Sequence, residues 1–175
     1  YADRLKNRKN VGSGLYNGMI YPLRNYKVKA AIWYQGESNS GRPHEYNALM
    51  TSLIENWREL WPDMPFLLVQ LPNFMQKHTQ PTDSGWARIR EAQLQAFMSI
   101  PNTALAVTYD VGEWNDIHPL NKKAVAQRLF LGARKIVYNE KVTYSGPVYK
   151  DMKIDGNKIV LTFTETGKGL AIKDG

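Results

Sequence analysis

The residues of this 175-residue chain most suited to chemistry lie in two short polar runs. One is Asp116-Ile117-His118-Pro119. A histidine with a carboxylate two residues away suits a general base: the acid fixes the imidazole tautomer and stabilises the imidazolium as it forms. The competing structural reading makes Asp116 the cap of a turn, with His118 packed beside Pro119, and for this loop taken alone it is preferred. The other run is Gln35-Gly36-Glu37-Ser38-Asn39, which supplies a side-chain amide, a small residue permitting close approach, and a carboxylate. An amide aimed at a developing oxyanion is an acyl-transfer device whose removal costs roughly 3–4 kcal/mol. Taken alone, this run too reads as a polar turn, with Asn39 or Ser40 as a cap.

Other polar groups carry weaker signals. Arg88, Arg90 and Glu91 fall on one helical stretch, where ion pairing is the expected role, with Glu37 as one possible partner. His44 and His78 stand apart and are expected to be exposed. The three histidines lack metal-ligand spacing and cysteine is absent, so no metal site is expected. No glycine-rich phosphate loop occurs, and nothing calls for a cofactor. Trp33, Trp57 and Trp61 read as core, whereas Trp114, beside the Asp116–His118 run, could line a sugar pocket.

The elements that must position these runs follow from periodicity. Residues 1 to about 27 read as irregular structure, with a turn at Gly12-Ser13-Gly14. Lys27 to Tyr34, Pro65 to Leu71 and Thr103 to Tyr109 are apolar and β-rich, as expected of strands buried on both faces. Between them lie two amphipathic helices. The first opens at Pro43, carries Tyr46, Met50, Leu53, Ile54 and Trp57, and stops at Trp61-Pro62; the second spans Trp86 to Met98. A third helix, capped by Asn121, carries Val125, Leu129 and Ile136. Strand, loop and helix repeated three times argue for α/β architecture with a parallel sheet covered on both faces. Ligands of such sheets bind beyond the carboxyl ends of the strands, where both polar runs fall. After Asn139 the pattern changes to short alternating segments, Val142 to Tyr149 and Lys158 to Phe163, with Asp155-Gly156-Asn157 as a hairpin turn.

Composition agrees with a globular fold: 43% of residues are hydrophobic and 22% charged. The longest apolar runs, such as Phe66-Leu67-Leu68-Val69, are strand length, so no membrane partner is expected. The net charge of +7 is spread over scattered lysines and arginines, including Arg4, Lys6, Arg8 and Lys9. No stripe interleaves basic and aromatic residues, so nucleic acid is not expected either.

Leu15-Tyr16-Asn17-Gly18-Met19-Ile20, Ile32-Trp33-Tyr34-Gln35-Gly36-Glu37-Ser38-Asn39, Val69-Gln70-Leu71, Arg90-Glu91-Ala92-Gln93 and Asp116-Ile117-His118-Pro119 occur in that order. The series resembles the sialate O-acetylesterase family over nearly the whole chain. The resemblance implies a three-layer α/β/α domain of the SGNH-hydrolase type (flavodoxin-like) over residues 1–140, followed by the start of a β-rich module over residues 141–175. It implies hydrolysis of acetyl esters on sialic acid or other sugars through an acyl-serine, with His118 as base and Asp116 as its orienting acid. Gln35, Gly36, Glu37 and Asn39 would form the oxyanion and substrate-binding block, Gln35 being the first choice for the amide. Many enzymes of this type space Asp and His three apart, where this chain has two, so Asp110 and Asn115 are alternatives to Asp116. The serine is expected in a GQS- or GDS-like block that this chain lacks. Ser13 and Ser38 lie outside such a block, so the nucleophile is expected from a missing N-terminal segment and the fragment alone is expected to be inactive. The sequence leaves the compartment open, and the resemblance favours the periplasm or secretion. The rival expectation is a carbohydrate-binding or dead-esterase domain that keeps the pocket without the chemistry.

Overall fold

In the computed structural model, which describes residues 11–172, three short apolar runs form a parallel sheet. They are Ala31–Trp33 (β1), Phe66–Val69 (β2) and Thr103–Ala106 (β3), in spatial order β1-β2-β3. The register pairs Ala31 with Phe66 and Phe66 with Thr103. Side chains alternate across the sheet, which sorts the core into two halves. Phe66, Leu68 and Leu105 face one side, where helices Tyr46–Leu60 (α1) and Gly85–Ser99 (α2) bury Tyr46, Met50, Ile54, Trp86 and Ile89 against them. Val69 and Ala106 face the other side, against Val125 of helix Lys122–Ile136 (α3). The result is three layers, α/β/α, as expected.

Local chemistry sets the element ends. Ser84 caps α2 by accepting from the Ala87 amide at 3.4 Å, and the Asn121 side chain accepts from Ala124 at 3.1 Å at the start of α3. A Cβ on Gly132 would lie 3.0 Å from the Ala104 Cβ, so glycine lets α3 sit close on the sheet. Arg58 ties α1 to two loops, its guanidinium donating to the carbonyls of Met64, Pro101 and Asn102 at 3.1, 2.9 and 3.2 Å. Trp33, Trp57 and Trp61 stack edge-on beside this core, half-buried rather than enclosed.

Three sequence expectations are corrected. β1 is not buried on both faces: Ile32 is 62% exposed. It shares a face with its neighbour Leu67, but α3 covers that face over β2 and β3, leaving Ile32 open. The stretch expected to be irregular contains a wide helical turn, Tyr16–Ile20, continuing into a 3₁₀ turn, Tyr21–Leu23. Pro22 is tolerated in that turn because its missing N–H falls where helices need no donor. The hairpin is shifted along the chain. Its strands are Val148–Asp155 (β4) and Lys158–Thr164 (β5), antiparallel around Gly156-Asn157. Residues 142–147, expected to begin the first strand, end in Ser145-Gly146-Pro147, and proline cannot donate to a ladder. Arg4, Lys6, Arg8 and Lys9 lie outside the described residues.

Candidate active site

At the carboxyl end of β1 the chain turns sharply at Gly36, whose φ of +150° few side chains adopt. A Cβ there would sit 2.9 Å from Gln93 Nε2 and 3.3 Å from Leu71 Cδ1. Glycine is therefore required by conformation and by crowding. The turn is held by its own polar groups and by α2. Gln35 Nε2 donates to Asn39 Oδ1 at 2.8 Å, and the Gly36 amide donates to Glu37 Oε2 at 2.9 Å. The Gln35 carbonyl accepts from Tyr46 Oη at 2.9 Å and from Gln93 Nε2 at 3.0 Å. Gln93, 3% exposed, also accepts from the Leu71 amide at 2.9 Å, so one buried amide joins the ends of β1 and β2. Gln35, Gly36, Glu37 and Asn39 thus form one hydrogen-bonded unit. One N–H of Gln35 is committed to Asn39, which leaves the other available to a ligand. Gln35 and Asn39 line a hollow of about 330 Å³ floored by Trp33 and Tyr46.

The loop after β3 carries Asp116 and His118. Ile117 packs against the main core and Pro119 is buried, so the residues on either side of His118 are anchored. The imidazole between them is 86% exposed. Asp116 Oδ1 accepts from the His118 backbone amide at 2.7 Å, while His118 Nδ1 stands 3.8 Å from the same oxygen. In this geometry the carboxylate caps the turn, and the imidazole lies beyond hydrogen-bond reach. Asp110, one alternative orienting acid, is engaged by Arg128 at 2.5 and 2.7 Å; Asn115, the other, is exposed.

Because the strands are parallel, both loops open on the same edge of the sheet. Tyr34 and Ile117, one from each loop, pack against the same core cluster. The Lys122 ammonium at the start of α3 lies 5.3 Å from the Tyr34 ring centroid. Among the described residues, no hydrogen bond joins Gln35–Asn39 to Asp116–His118, and no serine hydroxyl hydrogen-bonds a histidine. Among the described residues the buried Tyr34 hydroxyl has no hydrogen-bond partner of good geometry; nearby Thr108 donates to the Gln70 carbonyl at 2.5 Å. Burial, reinforced by the Glu37 carboxylate, raises the Tyr34 pKa.

The loop carrying His118 is also braced from the side. The Met75 amide donates to the Trp114 carbonyl at 2.8 Å, and a Cβ on Gly112 would strike the Asn73 carbonyl at 2.5 Å. Between these loops and α2 lies a cleft of about 440 Å³, with Trp114 on its wall. Arg90 also lines it, and here the expectation of an ion pair fails. Arg88 pairs with Asp83 at 2.6 Å and Glu91 accepts from Gln95 at 3.2 Å, but among the described residues the Arg90 guanidinium meets only the Tyr109 ring, 4.4 Å away. His44 and His78 are exposed, as expected. Sequence reasoning missed Gln93, although a glutamine at a core position of the helical period, four residues after Ile89, was a readable signal.

Residues 4–133 match the family model of the carbohydrate esterases described as sialic acid-specific acetylesterases. The sialate O-acetylesterases of mouse and human are 36% and 37% identical to this chain, each over 172 aligned positions covering 87% of it. The chain spans only about a third of their length, 31% and 32%. The crystal structure of a carbohydrate acetylesterase from Xanthomonas citri superposes with a TM-score of 0.79 at 42% identity, covering 85% of this chain and 35% of that one. On these matches, and on the three-layer fold that carries its two loops, the chain belongs to the sialic acid-specific acetylesterase family of carbohydrate esterases.

Proposed function

We propose that this chain supplies the oxyanion-binding and acid–base parts of a serine O-acetylesterase acting on acetylated sialic acid or a related acetylated sugar. The observation that carries the reading is the shared sheet edge. A preorganised glutamine amide closes β1, a histidine anchored on both flanks follows β3, and both loops rest on one core cluster. The nucleophilic serine comes, in this reading, from a segment outside this sequence.

His118 Nε2 takes the serine proton as the hydroxyl oxygen bonds to the acetyl carbon. The carbonyl oxygen becomes an oxyanion held by the free Gln35 N–H and by backbone amides. As the intermediate collapses, the sugar oxygen leaves with the proton from His118. Water then attacks the acyl-serine, gives its proton to His118, and releases acetate and the serine. Asp116 orients His118 once the imidazole turns from 3.8 Å into hydrogen-bond distance, a tightening common on going from free enzyme to substrate complex.

Hydrolysis of p-nitrophenyl acetate and O-acetylated sialate by the complete protein tests this. His118→Ala should lose at least about a hundredfold in rate, and Gln35→Ala roughly 10²–10³-fold, with the fold intact. Unchanged rates in either variant would overturn the assigned role. A second reading, sugar binding without turnover, is favoured by the Asp116 carboxylate bonding the main chain rather than the imidazole. Sugar binding by the complete protein with no ester cleavage would establish that reading instead.

A further inference from the structure

The cleft beside Trp114 holds a positive charge that has no ion-pair partner among the described residues. Arg90 sits within α2, half-buried, and its Nε is fully shielded without a hydrogen-bond acceptor. Among the described residues its guanidinium makes no ion pair and no side-chain hydrogen bond; its polar environment is the face of Tyr109. A planar cation of this kind ordinarily takes a carboxylate in a fork of two parallel bonds. Burial lowers its pKa, with Tyr109 opposing, so the site carries the cost of desolvating a charge without the usual compensation.

The rest of the lining suits a sugar. Phe74 and Trp86 stack at 5.2 Å to form an apolar floor, and Trp114, 60% exposed, offers a ring face. Lys77 on the rim favours a negative ligand, and the one carboxylate in the lining, Asp110, is engaged by Arg128. The volume, about 440 Å³, falls within the roughly 300–1,000 Å³ of small-molecule sites. The same loop forms the cleft wall at Trp114 and carries Asp116 and His118 two and four residues later.

We infer that this cleft seats an acidic sugar, with the Arg90 guanidinium taking its carboxylate and Trp114 stacking on its ring. The inference deepens the esterase proposal, on which it rests for the class of sugar. Arg90 then sets specificity: it selects a carboxylated sugar over a neutral one and holds it alongside the loop that carries His118.

The test is equilibrium binding of free sialic acid and of its methyl ester to the complete protein, by calorimetry, with turnover of the O-acetylated sugar measured separately. The wild type should bind the acid about tenfold or more tightly than the ester, the size of one charge-assisted contact. Arg90→Gln should bring that ratio close to one, and Arg90→Lys should restore part of it. Trp114→Ala, at an exposed position that leaves the core intact, should weaken acid and ester together and preserve the ratio. A wild-type ratio near one, a ratio that survives Arg90→Gln, or no binding of either sugar would each overturn the inference. A ratio that depends on Arg90 in a protein without ester turnover would uphold the inference and sink the esterase reading. Turnover without the ratio would do the reverse.

Discussion

Replacing Gln93 by leucine should lower both stability and activity, and activity by more. The side chain is 3% exposed and makes two hydrogen bonds, accepting from Leu71 N at 2.9 Å and donating to the Gln35 carbonyl at 3.0 Å. Leucine nearly fills the volume, so a cavity is not the issue. The Leu71 amide loses its acceptor, and a buried unpaired N–H costs about 1–3 kcal/mol. The Gln35 carbonyl loses less, because Tyr46 Oη still donates to it. For a chain of this size that corresponds to a fall in melting temperature of about 2–12 °C. The effect on catalysis has another origin: the carbonyl that Gln93 holds belongs to the residue whose amide is proposed to meet the oxyanion. A displacement of about 1 Å at such a position can cost around a hundredfold in rate.

Thermal melting and ester hydrolysis on the same preparations measure the two effects. Gln93→Glu provides the control. Its ionised carboxylate can accept from Leu71 but cannot donate to Gln35, and burial raises its pKa above the unfolded value near 4.3. Its protonated form restores the donor, so its stability should be greatest below about pH 4 and be lost as pH rises through the raised folded pKa. A leucine variant that melts with the wild type, or loses activity only in proportion to its unfolded fraction, would refute this reasoning.

Gly36→Ala should destabilise by about 1–3 kcal/mol from backbone strain alone and should cut ester hydrolysis, since the new Cβ meets Gln93; wild-type melting and rate would show that the turn relaxes freely. Tyr34→Phe should leave stability unchanged or raise it by up to about 1 kcal/mol, because it removes a buried hydroxyl with no hydrogen-bond partner; a clear loss in denaturant melts would reveal a bond the structure lacks. Arg58→Met should cost about 1–3 kcal/mol by leaving the Met64 and Pro101 carbonyls without their donor, while Asn102 keeps the Phe66 amide, and equal stability would mean that water replaces the guanidinium. Gly132→Val should destabilise by about 1–3 kcal/mol through overpacking against Ala104, read as a lower denaturation midpoint.

The parallel sheet was legible because strands buried on both faces leave unbroken apolar runs, and Phe66–Val69 and Thr103–Ala106 do so. The Asn121 cap was legible because its chemistry is local. β1 was misread for the converse reason: burial of Ile32 depends on how far α3 reaches across the sheet, which no short window records. The membership of the two candidate loops was readable, and so was the edge on which they open. Their internal geometry was not, since it rests on partners far along the chain: Gln93 for Gln35, and Met75 for Trp114. Arg90 illustrates the same limit. Glu91 on the same helix and Glu37 after β1 suggested a pair, but Glu91 accepts from Gln95 and Glu37 from the Gly36 amide.

The hairpin at residues 148–164 has a consequence for how the molecule opens. Of its strand residues only Val148 and Phe163 are even half-buried, and Met152, Ile154, Ile159 and Leu161 meet solvent. Two strands alone are marginally stable in water. The β4–β5 amides should therefore exchange their hydrogens through small local openings, while those of β2, enclosed on both faces, wait for the whole sheet to come apart. A protease meets the same difference and would cut the hairpin long before it reached the loops that carry Gln35 and His118.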